Sequence, residues 1–300
     1  MTGAQRNYGS DPLSSEQACI TYLFNKRWPW GFRCPFCGEF QQEIAPAYTV
    51  VCRYCRKQTS ITAQTIMHGS KKSLASWMRV AWQFCFAEQG LSARRLQQMM
   101  ELSCYHTAWN WLQKLRMGAA LAESTPCEGN VLIIDFFLPV ASTSGDHGED
   151  IMLALELTGK NGNNRRLRLT VVDKLKAASM LQAIGKMAAP GSTILTDLRL
   201  QIEDGNFYHM YAVSKPTRPQ AAEGYQIIEE VRKWLTTLYR GAVDSRYLQS
   251  YLDEFSFRHN SAFLQDRLAV LDHLLTGLVK PPRGERSAGN SSSRRDGYEK

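Results

Sequence analysis

The sequence lacks any long apolar run. None reaches the roughly 18 residues of a membrane span, and Met1 to Pro12 has no apolar centre of the kind a secretory leader carries. These absences argue against a membrane protein and favour a cytoplasmic chain. There is no surplus of acid either: Lys and Arg total 36 against 28 Asp and Glu, a net charge of +8, so polyanionic partners are expected, nucleic acid first. No internal repeat is present. The eight cysteines, in a reducing cytosol, are better explained by metal or burial than by a disulfide framework. At 300 residues the chain exceeds the usual single-domain size, and two or three domains are expected.

Four of the cysteines fall in two matched knuckles, Cys34-Pro35-Phe36-Cys37 and Cys52-Arg53-Tyr54-Cys55. Two C-x-x-C pairs at this separation can set four thiolates tetrahedrally round one zinc. All four positions would be filled, leaving none for water, so the zinc is structural. Ser15 to Phe24 reads as a leading helix with Cys19 as packing, Ile44 to Val51 as a hairpin strand and Thr59 to Ile66 as an extended exit strand. The ribbon with its helix is bounded at 14–66. Arg53, Arg56 and Lys57 beside the knuckles suit contacts to DNA phosphates, and equally a solvated basic rim.

From Ser73, a good N-cap, Leu74 to Glu88 has helical spacing. Ser92 to Met99, a short turn and Cys104 to Met117 then have the lengths of a helix-turn-helix, in a unit bounded at 70–124. The second helix would be the reader, presenting Tyr105, His106, Asn110, Lys114 and Arg116 to phosphates or base edges. The same pattern also fits a plain three-helix packing unit.

After the polar link Thr125 to Asn130 the pattern changes to strands. Val131 to Val140 is apolar and β-branched, as in a strand covered on both faces, except for Asp135. A buried carboxylate needs a partner or a metal. Ser192 to Asp197 also ends an apolar strand on an acid, and two such carboxylates are what a divalent-metal site needs. Ile151 to Thr158 and Leu167 to Asp173 complete an antiparallel meander; Lys174 to Ala188 reads as a helix returning the chain to the fourth strand. Strand, strand, strand, helix, strand and then helices matches the ribonuclease-H-like architecture, here over 129–280. The fold class expected is thus multi-domain α/β. Residues 281–300, rich in Gly, Ser and Arg, read as a disordered basic tail.

With these pieces placed, the chain resembles bacterial insertion-sequence transposases that join a zinc ribbon and helix-turn-helix to a DDE catalytic domain. The resemblance is carried by Arg27-Trp28-Pro29, both knuckles, Gln58-Thr59-Ser60, Thr62-Ala63, Lys114-Leu115-Arg116, Trp234-Leu235, Arg240-Gly241-Ala242-Val243, and Tyr251-Leu252-Asp253-Glu254-Phe255 continuing to Phe257-Arg258 and Asn260. It implies cleavage at element ends and strand transfer, with two Mg²⁺ ions, or Mn²⁺ in their place. It also implies double-stranded DNA partners, both terminal inverted repeats and target DNA, a homo-oligomer on DNA, and a nucleoid-associated location.

The family's first and second acids fall on Asp135 and Asp197, its third catalytic position on Glu230, and its nearby lysine on Arg232. The chain departs from the family pattern at Phe136, Leu138-Pro139, Leu198 and Arg232. A competing class is therefore a catalytically decayed DNA-binding protein that uses the nuclease-like domain to dimerise. On a helical wheel, Glu230 lies about 90° from the stripe of Ile227, Val231, Trp234, Leu235 and Leu238, and Glu229 nearly opposite it. Glu230 is thus expected to reach the sheet edge and Glu229 to face water. Arg232 sits far round from Glu230, and Lys233 is the alternative basic residue. Asp253 and Glu254 read as structural acids for Arg258 or Lys280, and His209 as a neighbour of the site.

Overall fold

The computed structural model describes residues 15–88, 90–140, 147–157, 166–198, 210–239, 243–264 and 266–282. The basic tail from 283 and His209 lie outside them. The N-terminal half opens with α1 (Glu16–Arg27), capped by the Ser15 side chain accepting from the Ala18 amide. Two short hairpins follow: β1 (Phe32–Arg33) with β2 (Phe40–Gln41), and β3 (Thr49–Val51) with β4 (Gln58–Ser60). The exit strand ends earlier than its alternating pattern suggests. Arg27 donates to the carbonyls of Ser60, Ile61 and Ala63, and this curls the segment back onto α1 as turns.

Helices α2 (Leu74–Phe86), α3 (Ala93–Met99) and α4 (Tyr105–Ala122) come next, with Ser73 and Ser92 as N-caps of the first two. The catalytic-type half contains β5 (Asn130–Val140), β6 (His147–Glu156), β7 (Leu167–Val172), α5 (Ala177–Met187), β8 (Thr193–Leu195) and β9 (Ala212–Ser214). Three helices close the described chain: α6 (Arg218–Tyr239), α7 (Ser245–Ser261) and α8 (Arg267–Leu278).

The five-stranded sheet has the order β7-β6-β5-β8-β9, with β5, β6 and β7 antiparallel and β8 and β9 parallel to β5. Alternate residues of β5 serve different faces. Val131 and Ile133 pack with α5; Leu132, Phe136 and Leu138 pack beneath α6 and α7. Helix α6 crosses β5 at Gly224, where a Cβ would fall 2.5 Å from Ile134 Cδ1, so a larger residue there would have to push the Ile134 side chain aside.

Helix α8 packs away from the sheet. Its Val270, Leu271, Leu274, Leu275 and Leu278 share one core with α1, the ribbon, α2 and α4. At the α4–α8 crossing, a Cβ on Gly277 would lie 1.8 Å from the Gly118 carbonyl oxygen, so the two backbones touch. Helix α7 faces both cores, with Phe255 in one and Phe257 in the other.

Candidate functional sites

In the ribbon, all four cysteine sulphurs lie within 4.8 Å of one another, Cys34 to Cys55 at 3.6 Å and Cys37 to Cys52 at 3.7 Å. Zn–S bonds of about 2.3 Å in a regular tetrahedron put sulphurs about 3.8 Å apart. The set therefore fits a zinc ion without rearrangement. The knuckles are matched in backbone as well: the Gly38 amide donates to Cys34 O and the Arg56 amide to Cys52 O. Both turn-closing residues are left-handed, Gly38 at φ 76° and Arg56 at φ 60°. Buried Gln41 supports the second knuckle. Its Nε2 donates to Cys52 Sγ at 3.5 Å and its Oε1 accepts from the Arg53 amide, a role that no spacing signal in the sequence announces.

On α4, the residues expected to face DNA differ in exposure. Tyr105, His106 and Asn110 are exposed, and Lys114 is half-buried with its ammonium donating to the His68 carbonyl. Arg116 must be removed from the DNA-contacting set. It is 1% exposed, its Nε lies 2.8 Å from Glu254 Oε2 on α7, and its guanidinium sits 4.2 Å from the Tyr251 ring centre. The second half of α4 is an interior helix between α7 and α8, so a cation there meets protein. In the ribbon, Arg53 bonds the Glu43 carbonyl, Lys57 lies over the Phe36 ring, and Arg56 is exposed.

At the sheet, Asp135 is half-buried on β5 opposite Met152. The last β5–β8 pair is Leu132 with Leu195, and Asp197 follows two residues later, exposed. Asp135 thus sits on β5 beyond its last pair with β8, and Asp197 in the segment that follows β8. Among the described residues the four cysteines are the group of three or more potential metal ligands gathered within 4.8 Å; Asp135, Asp197 and Glu230 are not gathered that closely.

Beyond Leu132 no described strand pairs with β5 on the β8 side. The Gly129 carbonyl accepts from Thr193 of β8, and the Asn130 carbonyl from Leu157 on the β6 side. Carbonyls alternate along a strand, so that of Phe137 points to the open β8 side. There it accepts from Arg232 Nη2 at 3.2 Å, and the same guanidinium lies 5.8 Å from the Phe136 ring centre. Arg232 Nη1 holds Glu229 Oε1 at 2.5 Å.

Glu230 occupies the other flank of α6. The buried stripe runs through Gly224, Ile227, Ile228, Val231 and Leu235, and Arg232 and Glu230 lie roughly 100° to either side of it. Glu230 is exposed, accepts from Gln226 at 3.2 Å, and acts electrostatically on His259 of α7. Burial pulls the His259 pKa down, and Glu230 opposes that pull. Lys233 is exposed. Across β5 and β6, Asp150 is the diagonal neighbour of Asp135 on the same face and pairs with Lys174 at 2.9 Å. The Asp150 hydrogen bond, with Asp135 adding its charge, raises the Lys174 pKa. Neither Asp150 nor Lys174 stands out in sequence.

Residues 14–58 match the transposase zinc-ribbon domain, and residues 142–260 match the ISXO2-like transposase domain. The chain thus carries two domains that match those of insertion-sequence transposases. The second match begins after Asp135 and takes in Asp197, the whole of α6 and the Glu254 helix. No curated protein matches the chain. Among the described residues, no helix is long and apolar enough to cross a membrane.

Proposed function

We propose that this chain is a DNA transposase that cleaves insertion-sequence ends and transfers the freed strand to target DNA, working as a homo-oligomer on two ends. The observation that carries the reading is the pairing of β5 with β8, which leaves Asp135 and Asp197 near one end of the sheet, while α6, which carries further acids, reaches the open edge of β5 through Arg232. A half-buried and an exposed carboxylate on adjacent strands form a hard-oxygen donor set suited to Mg²⁺ or Mn²⁺. When bound there, such ions supply Lewis-acid activation of water or a 3′-hydroxyl and stabilise the leaving oxygen.

The resemblance assigns the third carboxylate to Glu230. Position on α6 favours Glu229, which Arg232 holds on the open edge of β5. Tyr105, His106 and Asn110 would lie against the duplex, with Arg53, Arg56 and Lys57 neutralising phosphates. The test is nicking of duplex DNA carrying the element ends, with Mg²⁺. Asp135→Asn and Asp197→Asn should abolish cleavage and leave DNA affinity intact or slightly raised, and Glu229→Gln should cost more activity than Glu230→Gln.

A second reading is favoured by Arg232 itself: a guanidinium fixed at the edge where metal ions would sit is what a decayed, DNA-binding descendant would carry. It requires that the parent protein bind end DNA and show no metal-dependent cleavage at all.

A further inference from the structure

The zinc ribbon exposes more aromatic surface than a domain of its size needs. Trp30 is 84% exposed, Tyr54 77%, Phe36 56% and Phe40 44%. Single exposed apolar residues are ordinary, whereas a connected group marks a binding surface. Phe36 and Phe40 are linked through the first knuckle, and Trp30 stands beside the glycine that Phe40 covers. The Phe40 ring lies against Gly31, next to Trp30, with Phe40 Cζ 3.0 Å from where a Gly31 Cβ would sit. The Arg33 guanidinium lies 5.8 Å from the Phe40 ring centre and donates to the Gly38 carbonyl at 3.0 Å, which closes the knuckle bearing Phe36. The Lys57 ammonium, just past the second knuckle, lies 4.7 Å from the Phe36 ring centre.

Phe36 and Tyr54 are the same position of the two knuckles, each directly before the second cysteine. The zinc cluster therefore fixes two rings at the tip of the ribbon, interleaved with Arg33, Arg53, Arg56 and Lys57.

From this arrangement we propose that the ribbon binds unpaired DNA, stacking bases on Phe36, Tyr54, Trp30 and Phe40 while the four cations track the phosphates. Duplex DNA hides its base faces, and cations alone would suffice for its backbone. Aromatic rings beside cations are the combination that holds single strands with little sequence preference. The occupant is a frayed or cleaved DNA end, of the kind produced where a transposase opens an element terminus. The proposal rests on the chain being a DNA-binding protein and is independent of whether the sheet site cleaves.

The experiment is fluorescence anisotropy of the full chain with three probes at one salt concentration: a thymidine oligonucleotide, an abasic oligonucleotide of equal length, and a duplex. The thymidine strand should bind at least tenfold more tightly than the abasic strand, since each stacked base contributes about a factor of ten. The double variant Phe36→Leu/Tyr54→Leu, which keeps apolar bulk and whose zinc content is checked, should remove most of that difference and leave duplex affinity unchanged.

Equal binding of thymidine and abasic strands would overturn the proposal with no variant involved. So would a zinc-loaded double variant with parental preference, or one whose effect is a changed oligomeric state, the sign of a protein partner on this face. Duplex bound without preference for the thymidine strand sinks only this proposal. No binding to any probe sinks the DNA-binding reading as well.

Discussion

Replacing Glu254 by alanine should be the most damaging single change in the joint between the two halves. Glu254 is 0% exposed, its Oε2 lies 2.8 Å from Arg116 Nε, and its Oε1 lies 3.2 Å from Arg258 Nε. Arg258 also donates to the Ala87 and Phe84 carbonyls at the end of α2. Removing the carboxylate takes from the Arg116 guanidinium, 1% exposed, the counter-charge 2.8 Å from its Nε, for which a loss of roughly 3–5 kcal/mol is expected. The double variant Arg116→Met/Glu254→Leu removes both charges and fills similar volume, and should lose far less, about 0–2 kcal/mol. Urea unfolding followed by tryptophan fluorescence reports on this region, because Trp109 packs on Tyr247 and Trp234 on Phe255. A loss below about 1 kcal/mol for Glu254→Ala would refute the reasoning, as would a double variant as unstable as the single one.

Other consequences are as direct. Cys37→Ser or a strong chelator should release about one zinc per chain and unfold the ribbon; a zinc-free ribbon that keeps its amide protection would contradict this. Gly277→Ala drives a methyl into the Gly118 carbonyl and should cost about 3 kcal/mol or more, read by the same urea titration, whereas Gly185→Ala, with open space around it, should cost nothing. The folded pKa of His259 is depressed, so its contribution to stability is present above the unfolded value of about 6.5 and is lost as pH falls through the folded pKa. Glu230→Gln should lower that pKa further in an NMR titration. An unchanged value would mean that Glu230 turns away from α7.

The features legible in the sequence were those encoded locally. Two C-x-x-C pairs carry their geometry in their spacing, and the alternation of β5, β6 and β7 gives both faces of the meander. Serines 73 and 92 announce helix starts through chemistry confined to one turn. What was not legible depended on partners far along the chain. Arg116 looks like a surface cation on its own helix, and only Glu254, which comes 138 positions later, makes it an interior one. The seating of α8 on α4 needs two glycines, Gly118 and Gly277, to meet, and neither hints at the other. On α6 the wheel placed Glu230 at the right angle from the apolar stripe. An angle does not say which flank faces the open edge of β5; the bond from Arg232 to the Phe137 carbonyl does.

The joint between the halves bears on how DNA reading and DNA chemistry are linked. Helix α4 carries Tyr105, His106 and Asn110 at one end and is clamped at the other by α7 and α8. Its C-terminal Glu123 accepts from Asn260 and contacts His273, while Asn260 also bonds both backbone groups of Leu167 at the start of β7. Arg168 of β7 donates to the carbonyls of Glu123 and Thr125, and Arg166 to that of Pro126. The segment between the halves, which reads in sequence as a polar link, is thus held at the carbonyls of Glu123, Thr125 and Pro126, and Cys127 extends it as a bridge to Ala188. A duplex seated on the first turns of α4 therefore holds a fixed relation to the end of β5. On the proposed function, selection of a DNA position by α4 would become selection of the phosphate presented to Asp135 and Asp197. Loosening this joint should uncouple the two, leaving binding to the element ends intact and scattering the position of any cut.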